Sequence, residues 1–160
     1  MNYVLREPRD TAKTALVQIL TNRGLKEEDI WHYLNTTDDD LIDPASIEHI
    51  EEGAQMLLKH MRAHDKVFIQ PDSDVDGFTS SAILINYLYK IDPKFVEECV
   101  NYDVHNNKEH GIDLSFIDDD VKLVIAPDAS SNEADIHKVL YDKGIDVLII
   151  DHHNAEGYSP

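Results

Sequence analysis

Val67-Phe68-Ile69-Gln70-Pro71-Asp72-Ser73-Asp74-Val75-Asp76-Gly77 carries the chain from an apolar run into a loop with a carboxylate at every second position. A short apolar run ending at proline reads as a strand, and its unbroken apolarity suits a strand covered on both faces. Thr79 to Lys90 then offers Ile83, Leu84, Tyr87 and Leu88, with Ile91 just beyond, at helical spacing. The alternation recurs downstream. Phe95 to Val100, Leu123-Val124-Ile125 and Val147-Leu148-Ile149-Ile150 read as further strands. Ile136, Val139 and Leu140 form an intervening helix, opened by a Ser130/Glu133 capping box and stopped at Gly144. Strands alternating with helices predict an α/β domain over residues 65–160, with a mostly parallel sheet and helices on both faces.

Upstream, residues 1–64 read as a helical N-terminal extension packed on that core. Ala12, Ala15, Leu16, Ile19 and Leu20 share one helical face, which ends at Asn22-Arg23-Gly24. A short amphipathic segment around Ile30, Trp31, Tyr33 and Leu34 precedes an acidic loop. Asp43-Pro44 then supplies an N-cap with proline at the first helical position, so a longer helix carrying Ile47, Ile50, Ala54, Leu57, Leu58 and Met61 is expected to start there.

The 160 residues suffice for one ordinary core and a small appendage. The single cysteine, Cys99, excludes an internal disulfide and a cysteine metal cluster and reads as a buried small hydrophobe. No apolar run reaches transmembrane length, and the first residues lack signal-peptide order, so cytoplasmic residence without membrane contact is the expectation. A formal net charge of -18 argues against a polyanionic partner, because phosphate contacts draw on Lys and Arg. That objection weakens where carboxylates hold divalent cations, which reverse the local sign. The runs Asp38-Asp39-Asp40 and Asp118-Asp119-Asp120 read as solvated loops.

Asp72, Asp128 and Asp151 each stand at or just after the end of an apolar run, and the first two follow a proline. In an open parallel sheet the carboxyl ends of the strands share one edge, so three carboxylates distant in sequence converge there. Such a cluster repels itself unless cations stabilise it. The first loop, with Asp72, Asp74 and Asp76 and the turn-forming Gly77, could serve two neighbouring ions, although by itself it reads equally well as an acidic turn capping a helix. It lacks the ligand spacing of a calcium EF-hand. Asp151-His152-His153 adds imidazole nitrogens, a mixture suited to manganese, iron or zinc.

These residues resemble the DHH phosphoesterases, a family named for the triplet that stands here as Asp151-His152-His153. The first motif of that family is similar to Asp72-Ser73-Asp74-Val75-Asp76-Gly77, and its second to the isolated Asp128. Trp31-His32-Tyr33-Leu34-Asn35 and Asp40-Leu41-Ile42-Asp43-Pro44 resemble the lead of the RecJ-type single-strand-specific exonucleases within it. The resemblance implies a centre of two Mn2+ or Mg2+ ions held by Asp72, Asp74, Asp128 and His152, with Asp128 as the bridge. It places Asp76 and His153 beside the ions near the scissile phosphate, with Asp151 and Gly77 supporting the site. It implies phosphodiester hydrolysis on single-stranded nucleic acid.

Three departures accompany the likeness. Relatives usually carry a glycine soon after the second-motif Asp, where this chain has Asp128-Ala129-Ser130. They carry an arginine and a Gly-Tyr-Gly-like turn before that motif, where Asn107-Lys108-Glu109-His110-Gly111-Ile112 keeps the glycine and basic neighbours, leaving Lys108 and His110 as candidate substrate contacts. A fourth acidic motif and a closing domain are expected beyond Pro160, so the chain alone is expected to bind metal incompletely and to be inactive. Two alternatives remain: a phosphodiesterase or pyrophosphatase acting on oligoribonucleotides, cyclic dinucleotides or pyrophosphate, and a non-catalytic binding or regulatory module keeping the fold.

Overall fold

The computed structural model describes residues 9–106 and 109–157 and divides into two compact units, residues 1–47 and 48–160. In the smaller unit, α1 (Ala15–Asn22) and α2 (Glu27–Leu34) pack on one another. Thr14 caps α1 by accepting from the Val17 amide, and Leu20 and Ile30 are buried. Asp43 does cap its own turn by accepting from the Ala45 amide at 2.9 Å, with Pro44 next, but only a 3-10 turn, Pro44–Ser46, follows. The Ser46 hydroxyl donates to the Asp43 carbonyl, a local bond that competes with helix propagation.

The larger unit opens with α3 (Ile50–Ala63), which starts after His49 in the left-handed region. Its sheet has the order β2-β1-β3-β4, all parallel, with β1 at Lys66–Ile69, β2 at Val100–Tyr102, β3 at Val121–Pro127 and β4 at Asp146–Ile150. The chain leaves β1 for β2 on one side and then crosses to β3 on the other. That reversal puts a topological switch point between the carboxyl ends of β1 and β3.

Two apolar layers cover the sheet. On one face Val67, Ile69, Leu123 and Ile125 pack with Met61 of α3, Leu88 of α4 (Val75–Ile91) and Phe95 and Cys99 of α5 (Pro93–Cys99). On the other, Phe68, Val124 and Ala126 pack with Leu140 of α6 (Ala134–Asp142) and with Ile112, Leu114 and Phe116 from the loop before β3. Alternate residues of one strand thus serve opposite faces, which is why β1 and β3 read as continuous apolar runs.

Three further sequence expectations need correction. Phe95 to Val100 is not a strand: Asp92 accepts from the Phe95 amide at 3.0 Å, Pro93 occupies the first helical position, and Phe95 and Cys99 lie one turn apart in α5. The cap chemistry outweighs the apolar run, and the strand begins only at Val100. Ser130 and Glu133 form no capping box, because the Glu133 carboxylate instead accepts from the Ile112 amide at 2.9 Å. Helix α4 starts at Val75, a turn earlier than Thr79, so Asp76 and Gly77 are helical rather than part of the loop.

Candidate metal centre

Each acidic group is fixed by the element it follows. The β1–β3 ladder continues past the strand through the Gln70 amide to the Ile125 carbonyl at 2.9 Å, and the β3–β4 ladder through the Asp128 amide to the Ile150 carbonyl at 2.7 Å. Asp72 and Asp128 therefore leave adjacent strands at the switch point, and both are buried. Asp74 is the N-cap of α4, its carboxylate accepting from the Gly77 amide at 3.0 Å. The positive end of the helix dipole thus faces the cluster. Gly77 permits this approach: a Cβ there would sit 2.5 Å from the Asp72 Cβ and 2.8 Å from its Cα and carbonyl oxygen.

Two sets of ligand-type side chains result, each with one donor atom per residue within 4.8 Å of the others: Asp72, Asp74 and Asp128, and Asp128, His152 and His153. Asp128 belongs to both. Burial raises its pKa, and the Asp76 and Asp74 carboxylates push it further up, against the pull of His152 and His153. Asp128 is thus an acid whose ionisation burial and its neighbours oppose, while the Gly77 amide holds the Asp74 pKa down, and no Lys or Arg is among the described residues lining the cleft of about 320 Å³. Carboxylate oxygens with imidazole nitrogens in this arrangement fit divalent transition ions.

Asp151 does a different job. Its carboxylate accepts from the His152 and His153 amides at 2.7 and 3.1 Å, from His153 Nδ1 at 2.7 Å and from the Ser131 amide at 3.1 Å. Burial opposes its charge, but these donors win and hold its pKa far below the usual carboxylate range. The same contact raises the His153 pKa. His152 Nε2 lies 3.1 Å from Asp128 Oδ1, and the two imidazoles stand 4.6 Å apart.

His110, a candidate substrate contact in the sequence, reaches the centre: its Nδ1 donates to both Asp72 oxygens at 3.0 and 2.8 Å, which raises its pKa. Two clips deliver it, one buried and one half-buried. Gln70 donates to the Asp103 carbonyl and accepts from the Asp113 amide, while Glu133 holds the Ile112 amide. Neither Gln70 nor Glu133 stands out in the sequence as part of the site; the amide at the end of a buried strand is the available signal for the first. Lys108 lies outside the described residues. Asp128 and Ser130 both have left-handed backbones, φ 72 and 81, so the loop takes the shape that a glycine favours without having one.

The DHH family model, described as its N-terminal domain, matches residues 66–160. The chain belongs to the DHH family. This DHH chain is 39% identical over 159 residues, 99% of its length, to YorK of Bacillus subtilis (strain 168), an SPbeta prophage-derived protein assigned as a single-strand DNA-specific exonuclease. It is 26% identical over 145 residues to the single-stranded-DNA-specific exonuclease RecJ of the same organism, covering 86% of this chain. It spans 27% of the first relative and 18% of the second, so it corresponds to about a quarter or less of their length. A crystal structure of exonuclease RecJ bound to manganese has the same DHH fold, with a TM-score of 0.57 at 22% identity over 71% of this chain and 29% of that one. No helix among the described residues is long and apolar enough to cross a membrane.

Proposed function

We propose that this DHH domain is the metal-binding part of a RecJ-like exonuclease that hydrolyses phosphodiester bonds of single-stranded DNA with Mn2+ or Mg2+. The observation that carries the reading is the sharing of Asp128 by two adjacent ligand sets. Asp72, Asp74 and Asp128 would hold one ion, and Asp128 with His152 the other. Bound there, two ions would lower the pKa of a water and stabilise charge on the phosphoryl oxygens.

The protein's own groups supply the rest. Asp151 fixes the backbone of the triplet and engages His153 Nδ1, a contact that favours the protonated ring, whose Nε2–H would then donate to a phosphate oxygen. Asp76, in the first turn of α4, adds a carboxylate beside Asp128 that can hold a proton from an incoming water. His110 holds Asp72 in place and brings the loop before β3 over the cleft, where it can meet the substrate chain.

The acidic surface is compatible with a nucleic acid if stacking replaces phosphate pairing. Phe78, Tyr102, Val104 and Asn86 line a cleft of about 250 Å³ with Pro71, the residue before Asp72. Phe78 and Tyr102 are exposed, and a base stacked on an aromatic ring contributes about 1–3 kcal/mol without needing charge.

The test uses the full-length protein: Mn2+-dependent release of nucleotides from single-stranded DNA, little from duplex, and none in Asp128→Asn. A second reading, hydrolysis of cyclic dinucleotides or pyrophosphate, is favoured by the net charge of -18. Turnover of those compounds with single-stranded DNA untouched would replace the first reading with the second.

A further inference from the structure

A second constellation sits in the loop before β3 and shares no residue with the Asp128 centre. His105, Glu109 and Asp113 each place one donor atom within 4.8 Å of the other two. The His105 side chain is 2% exposed and packs against Phe116, with ring centroids 6.1 Å apart. Its Nε2 lies 2.9 Å from the Gly111 carbonyl oxygen. A carbonyl can only accept, so Nε2 carries the proton, and in the neutral ring Nδ1 carries the lone pair.

That lone pair has no hydrogen-bond partner among the described residues, although Nδ1 is buried. It faces the Glu109 carboxylate at 3.8 Å, beyond hydrogen-bond reach, with Asp113 completing the group. Three acceptors gathered within 4.8 Å of one another are stabilised by a cation between them. A backbone carbonyl that fixes one ring nitrogen and presents the other is the usual support of a metal-ligating histidine.

We propose that His105 Nδ1, Glu109 and Asp113 form a further divalent-metal site that braces the loop carrying His110 to Asp72. One imidazole and two carboxylates suit Zn2+ or Mn2+ and exclude a site selective for Ca2+. Donors sharing an ion at bonds of about 2.1 Å lie about 3 to 3.5 Å apart, so the 3.8 Å gap closes with a small movement of Glu109. Glu109 is 62% exposed, which gives the ion a route in and the side chain freedom to move. The Asp113 carboxylate is held in place by accepting from the Ser115 amide at 2.8 Å. The ion would tie His105 and Glu109 to Asp113, whose amide Gln70 holds, beside the Ile112 amide that Glu133 holds.

The experiment counts Zn2+ ions by equilibrium dialysis and follows the His105 ring nitrogens by NMR. Relative to wild type, His105→Gln is expected to lose one ion while keeping those of the Asp128 centre, and Asp128→Asn is expected to lose ions while keeping the His105 one. Glu109→Gln changes only an exposed side chain and guards against misfolding; it should weaken that single ion at least tenfold. An unchanged count in His105→Gln together with an unchanged affinity in Glu109→Gln overturns the proposal, as does a His105 Nδ1 resonance that does not shift at saturating Zn2+. Failure of the Asp128→Asn arm alone would overturn the two-ion centre and leave this site standing.

Discussion

Gly77→Ala separates the packing argument from helix propensity, because the two predict opposite signs. Gly77 lies in the first turn of α4, where alanine should stabilise by about 1 kcal/mol on propensity alone. The added Cβ, however, would stand 2.5 Å from the Asp72 Cβ and 2.8 Å from its Cα and carbonyl oxygen, well inside ordinary carbon contact. Two of those three atoms are backbone, so no rotamer change relieves the overlap, and the ladder bond from Gln70 to Ile125 anchors the strand just before it. Overpacking of this kind costs about 3 kcal/mol, the upper part of the usual range. The net loss is about 2 kcal/mol, a fall of about 1 M in the urea midpoint for a domain of this size. The metal site should suffer as well, since α4 must recede from Asp72 and carry Asp74 with it; Mn2+ affinity should fall at least tenfold. Gly53→Ala is the control: its Cβ would meet only the Leu148 Cδ1 at 3.0 Å, the end of a flexible side chain, so its stability should stay within about 1 kcal/mol of wild type. Urea denaturation of metal-free protein is the assay, and a Gly77→Ala variant as stable as wild type would show that the close approach to Asp72 carries no such cost.

In metal-free protein Asp128→Asn should raise the melting temperature at neutral pH. The folded pKa of Asp128 is raised, so its unfavourable charge develops as pH rises through that value and is absent below the unfolded pKa of about 3.9; the gap between variant and wild type should therefore close in acid. Asp151→Ala should do the reverse, costing about 2–3 kcal/mol at pH 7 through its lost charged hydrogen bonds. The Asp151 pKa is depressed, so the stability it contributes is present above the unfolded value and lost only as pH falls through the folded one, and the variant's deficit should shrink in strong acid. Ser130→Gly should keep stability within about 1 kcal/mol and retain metal, whereas Ser130→Val, a β-branched residue forced to φ 81, should lose both; thermal melts and Mn2+ titration read the difference. Tyr102→Ala and Phe78→Ala in the full-length protein should each weaken single-stranded DNA binding about tenfold by fluorescence anisotropy, leaving its salt dependence unchanged.

Much of the fold could be read from alternation of strand and helix patterns, because β1, β3 and β4 are apolar on both faces and the sheet is covered on both. The run from Phe95 to Val100 misled for the same reason: burial makes a short helix and a strand look alike, and only Asp92-Pro93 marked the difference. The acidic edge was legible because strand ends converge whatever the side chains do. His110 on Asp72, and the left-handed backbone of Ser130, were not, since both depend on how the loop before β3 and the turn after it close in three dimensions. Gln70 and Glu133, which fasten that loop, carry ordinary side chains whose roles appear only once their backbone partners are placed.

The sharing of one carboxylate by two ligand sets can be checked by counting Mn2+ ions on wild type and Asp128→Asn by equilibrium dialysis at saturating metal. If Asp128 is shared between the ion at Asp72 and Asp74 and the ion at His152, the single substitution removes two ions together. Loss of a single ion, or of none, would contradict it.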